Sequence, residues 1–77
     1  RRVPMTQSAL YDWLLTAGVR EPACVQLGTR FVCGRWESIG EELSNGHILR
    51  TGRVAVHVLG EGSSWDEAHA AAKVKLG

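Results

Sequence analysis

Cys24 and Cys33 are the residues whose chemistry depends most on where the chain places them. Ala23–Leu27 and Arg30–Trp36 flank the pair Gly28-Thr29. Glycine at the first central position of a two-residue loop suits a type II′ turn, so residues 23–36 predict a β-hairpin. That register sets Leu27 opposite Arg30, Gln26 opposite Phe31, Val25 opposite Val32 and Cys24 opposite Cys33. The cysteines then face each other at a non-hydrogen-bonded pair, where side chains approach most closely. Three outcomes fit: two small buried apolar residues, a redox disulfide, or half of a zinc site. Zinc needs two further ligands, and His57 is the plausible strand neighbour.

The next candidates are basic. Arg53 and His57 alternate with valines and would meet phosphate or an acidic surface, or simply face solvent. Arg30, Arg35, Arg53 and His57 are assigned to the outer sheet face, and Arg1 and Arg2 to an N-terminal arm; together these six are the candidate partner-binding residues. His69 falls within an apolar helical stripe, at the margin of the core. Asp66 and Glu67 are explained by helix capping and the helix dipole. Ser63 and Ser64 lack the surroundings of a nucleophile elbow. Gly60 and Gly62 lack the third glycine or the Lys-Ser/Thr pair of a phosphate cradle. No acid–base pair stands out. The expectation is no catalytic site, no metal and no cofactor.

Elements that position these residues are legible to different degrees. Residues 1–5 predict a flexible basic arm, and 6–77 a single domain. Arg1–Pro4 show no periodicity. Residues 6–17 predict a helix capped by Thr6, with Met5 and Leu10 as a hydrophobic staple. Its stripe is Leu10, Trp13, Leu14 and Ala17, and Gly18 ends it. Ser38 and Glu41 could cap one helical turn, and Asn45-Gly46 marks a turn beside Ile48-Leu49. Residues 53–59 predict a strand with Val54, Val56 and Val58 on the core face. A loop at Gly60-Glu61-Gly62 precedes a helix capped by Ser64 and Glu67. Trp65, Ala68, Ala72 and Leu76 form its stripe, Trp65 facing the valine side. The order α–β–β–(β)–β–α predicts an α+β fold: an antiparallel sheet with both terminal helices on one face.

Composition bounds the rest. The chain has 77 residues, 44% hydrophobic and 22% charged, enough for one small globular domain. No run approaches the roughly 20 apolar residues of a membrane span, and no signal-peptide pattern is expected. Nine basic and eight acidic residues give a net charge of +1, less basic than most nucleic-acid binders. Two cysteines make no disulfide scaffold, which favours a reducing, cytoplasmic setting.

The C-terminal third, a strand followed by Gly60-Glu61-Gly62-Ser63-Ser64 and then Ala68 and Ala71-Ala72, resembles the end of a double-stranded-RNA-binding domain. That resemblance implies an α–β–β–β–α topology and a lysine cluster on the last helix. Trp65, Asp66 and His69 stand at the lysine positions here, so the phosphate grip is missing. The same ending, with its Ser64-Trp65-Asp66-Glu67-Ala68 helix start, resembles small accessory proteins of bacteriophages. This implies a regulator that binds a host protein, such as the transcription machinery or a defence complex, in the bacterial cytoplasm. The expected function is therefore a non-enzymatic protein-binding regulator with an acidic-surfaced partner. The alternative is a nucleic-acid-binding module of double-stranded-RNA-binding-like topology.

Overall fold

The computed structural model describes residues 3–38, 47–51 and 54–77, and for 38, 47–51 and 54 only the backbone. The order is α1 (Gln7–Thr16), β1 (Pro22–Leu27), β2 (Arg30–Ser38), β3 (His47–Thr51), β4 (Val54–Gly62) and α2 (Trp65–Leu76). All pairings are antiparallel, and the sheet order is β1-β2-β4-β3. The fold is α+β, as the sequence predicts.

Local chemistry explains the ends of α1. The Thr6 hydroxyl accepts from the Ala9 N–H at 3.1 Å, satisfying a donor the first turn leaves open. At the other end Gly18 adopts φ +91, Val19 N–H donates to Leu14 O and Gly18 N–H to Leu15 O. This is a Schellman motif, and buried Val19 packs back onto the same cluster as Leu14. Ala17, expected in the apolar stripe, is the exposed C-cap instead, because the chain reverses there.

The β1–β2 register is the one the turn residues dictate, Leu27↔Arg30 through Ala23↔Gly34. Gly28 has φ +60 and Thr29 has no positive φ, as a type II′ turn requires. Strand β2 ends at Ser38, and the turn expected from Ser38 and Glu41, like Asn45-Gly46, lies outside the described residues.

The last strand departs from expectation. Gly60-Glu61-Gly62 is not a loop but the end of β4, paired with Cys33, Val32 and Phe31. Between Gly34↔Val58 and Cys33↔Gly60 the register shifts, which leaves Leu59 as the extra residue of a β-bulge. Leu59 turns toward the helices. Gly34 sits where a Cβ would come within 2.9 Å of the His57 carbonyl carbon, so a side chain has no room.

The sheet therefore has two apolar faces. One cluster joins Leu10, Leu14, Val19, Cys33, Ala68 and Ala72, with Met5, Trp13, Phe31, Leu59 and Trp65 packed around it. A second joins Ala23, Val32 and Val56, with Val25, Trp36 and Val58 beside them. Successive strand residues point to opposite faces, so Cys33 and Val32 assign the clusters to opposite sides. Both helices cover the cysteine side. Trp65 thus packs edge-on against Phe31, centroids 4.8 Å apart, and not on the valine side as expected. Trp13 meets His69 edge-on at 4.5 Å, joining the helices. Leu76, expected in the buried stripe, is exposed near the helix end.

Helix α2 lies directly on β4. A Cβ on Gly60 would fall 2.6 Å from Ala72 N and would also strike the Ala68 carbonyl. Gly60→Val should therefore displace α2 and cost about 3 kcal/mol or more, the upper range for overpacking. Its thermal melt should fall far below that of the parent; an unchanged midpoint would show that α2 does not rest on Gly60.

The capping box at α2 is shifted by one residue. Ser64 Oγ accepts from Glu67 N–H at 3.1 Å, while Glu67 Oε1 accepts from Ser63 N–H at 3.0 Å and not from Ser64. The Ser63 N–H, joined by the Ser63 hydroxyl, favours the charged carboxylate and holds Glu67 below its ordinary pKa of 4.5. A lowered folded pKa adds stability that is present above 4.5 and lost as pH falls through and below that value. Glu67→Gln should thus lower the urea midpoint more at pH 7 than near pH 3. An equal loss at both pH values would remove the carboxylate from the cap.

Candidate docking groove on the edge strand

The sequence-predicted basic residues do not share one surface. Arg1, Arg2 and Arg53 lie outside the described residues. Arg30 pairs with Glu61 across β2 and β4. Arg35 pairs with Glu37 at 2.6 Å on its own strand. Arg35 stands opposite His57, so these two share a face. That face carries Cys33, the buried Ala55 and the helices; it is not the outer one. By strand alternation Arg30 and Glu61 belong to the valine side. Exposed ion pairs of this kind contribute little to stability, but they occupy the charges a partner would meet.

Cys24 and Cys33 stand opposite each other as free thiols. Cys33 is buried and its thiol donates to the Ala68 carbonyl oxygen at 3.6 Å, tying β2 to α2. Burial, with the neighbouring Cys24 adding to it, pushes the Cys33 thiol up to about 12; burial alone pushes Cys24 up to about 11. Both therefore remain protonated at neutral pH, and the thiolate is the nucleophile and the metal ligand. Among the described residues no group of three or more His, Cys, Asp or Glu could hold a metal ion, and no helix is long and apolar enough to cross a membrane.

Sequence reasoning missed a groove beside Cys24. Gln7, Ser8, Tyr11 and Asp12 present one side of α1 to Pro22 and Cys24 of β1. Trp36, whose N–H donates to Glu21 O just before β1, closes one end. The groove holds about 580 Å³, within the range of ligand-sized clefts. Tyr11, at its rim, is 42% exposed, and Leu15 follows one turn later, also exposed. The available signals were Tyr11 and Leu15, both off the apolar stripe, and Pro22, which opens a strand as edge prolines do.

The groove runs along a sheet edge, because among the described residues β1 has β2 as its one partner in the sheet. Leu27 and Arg30 flank the two-residue turn as a hydrogen-bonded pair, so Val25 and Ala23 also bond β2. The Trp36–Glu21 bond keeps that alternation at the far end. Cys24 and Gln26 consequently turn their N–H and C=O groups away from β2, into the groove side. Gln7 Nε2 donates to the Cys24 carbonyl at 2.7 Å, standing in for a neighbouring strand. The Gln26 amide is folded back on Gly28 O at 3.1 Å.

At the opposite pole, the start of α2 is filled by its own groups. Asp66 Oδ1 accepts from Met5 N–H at 3.3 Å, and Glu67 caps Ser63. A phosphate approaching there would meet two carboxylates. No family model, curated protein or solved structure matches this chain, so its own geometry carries the functional argument.

The raised thiols give a direct check. With Cys24 near 11 in place of 9.0, its thiolate fraction at pH 8 should be about 100-fold smaller than that of a free cysteine. Alkylation by iodoacetamide should be correspondingly slow in the native protein and normal in denaturant. Native labelling at the free-cysteine rate would show that burial does not raise the Cys24 thiol.

Proposed function

We propose that this protein is a small protein-binding regulator that acts by surface complementarity and not by catalysis. The observation that carries the reading is the open edge of β1 beside the α1 groove. An edge strand offers a row of main-chain donors and acceptors, and an adjoining groove gives side chains of an added strand somewhere to go. The polar groups lining it, Gln7, Ser8, Tyr11 and Asp12, are suited to recognition. The two thiols nearby are held protonated, which removes the obvious nucleophile. The ion-paired Arg30 and Arg35 and the carboxylates at the start of α2 weigh against phosphate binding as the main activity. Partners in the transcription machinery or a defence complex remain part of this proposal.

A photo-crosslinking amino acid placed at Tyr11 tests it, with the same group at exposed Lys73 on α2 as the control. In lysate of the native host, the Tyr11 probe should give a discrete protein adduct that excess unmodified protein competes away. The Lys73 probe should not. Equal labelling from both positions, or adducts with nucleic acid only, would contradict the reading.

A further inference from the structure

Building on that docking role, we infer that the β1 edge accepts an extended peptide segment as an added strand, with an arginine of that segment seated against Asp12. Main-chain geometry supplies the first half. Cys24 and Gln26 direct their N–H groups outward, and Gln26 and Pro22 direct their carbonyls outward. None of these four groups bonds another described residue. Pro22 has no N–H, so the pairing surface runs from the Pro22 carbonyl to Gln26 and ends there. An incoming N–H would take over the Cys24 carbonyl that Gln7 now holds. Such pairing fixes the backbone of the occupant but not its sequence.

Charge supplies the second half. Asp12 is the one charged residue lining the groove. Its carboxylate forms no ion pair with a described residue, and Thr16, one turn on, bonds its backbone carbonyl instead. Tyr11 lines the same space, while the Trp36 side chain packs with the valine-side cluster. A cation that satisfies a carboxylate and lies on an aromatic ring is best supplied by arginine, whose flat guanidinium does both. Alternate residues of an added strand point the same way, so one of every two occupant side chains enters the groove. The basic residue is expected at a fixed position in that alternation.

The test is selection of a displayed library of randomised heptapeptides on the immobilised full chain, followed by fluorescence polarisation on the survivors. Three proteins are compared: the parent, Asp12→Asn and Gln26→Pro. Gln26 N–H does not bond β2, so proline there should leave the hairpin folded, which thermal melting verifies. Survivors on the parent should share an arginine at one position; a shared lysine in its place would overturn the arginine assignment. Asp12→Asn should weaken them about tenfold or more, consistent with loss of a charge-assisted contact. Gln26→Pro should weaken them regardless of their side chains. Survivors without a basic preference that still fail on Gln26→Pro would overturn the arginine assignment and leave the docking function standing. Survivors indifferent to Gln26→Pro would overturn strand addition. A library with no survivors would overturn both this inference and the docking function. Dimerisation through β1, seen as concentration-dependent sedimentation abolished by Gln26→Pro, would assign the edge to a second copy and overturn the peptide.

Discussion

The structure depends on one close approach. Helix α2 lies on β4 with Ala68 and Ala72 against Gly60, at a distance no side chain on Gly60 would permit. Small residues on both surfaces let backbone rest almost on backbone, where packing is densest. The Cys33 thiol then reaches the Ala68 carbonyl, and Trp65 drops onto Phe31. Once α2 is seated, His69 is placed to receive Trp13, and α1 is drawn to the same face. The bulge at Leu59 belongs to this arrangement, since it turns one more apolar side chain toward the helices. Much of the core is thus set by small residues, with aromatic rings filling its edges.

With both helices on one face, α1 lies beside β1, and no described strand pairs with the outer edge of β1. Natural sheets commonly blunt such edges. Here Pro22 removes one donor and Gln7 covers one carbonyl, while Cys24 and Gln26 keep groups directed outward. An edge that is half blunted and half available is what selective strand pairing requires: enough main chain to bind, and a short enough run to limit indiscriminate association.

The sequence made the local features legible and left the long-range ones hidden. Gly28-Thr29 was enough to fix the β1–β2 register, because a two-residue turn allows one pairing. Thr6, Gly18 and Ser64 marked helix ends because each satisfies specific backbone groups. The side of the sheet that the helices cover was not legible. The alternating valines of β4 name an apolar face, but Cys33, Leu59 and the glycines form a second one whose apolar character lies in smallness and close packing. Gly60-Glu61-Gly62 resembled a loop because glycine usually breaks strands, whereas here Gly60 serves the helix above it. The groove was hidden for a related reason. Its residues come from α1, β1 and the end of β2, and only the pairing of β1 at the sheet edge brings Asp12, Cys24 and Trp36 to one cavity.

Amide hydrogen exchange along β1 tests the central claim most directly. The register gives Ala23 and Val25 N–H groups bonded to β2, and Cys24 and Gln26 N–H groups open at the edge. The account predicts that Cys24 and Gln26 exchange about tenfold or more faster than Ala23 and Val25 in the free protein. Equal protection of all four amides would contradict it, because the edge would then already be occupied and no strand could be added.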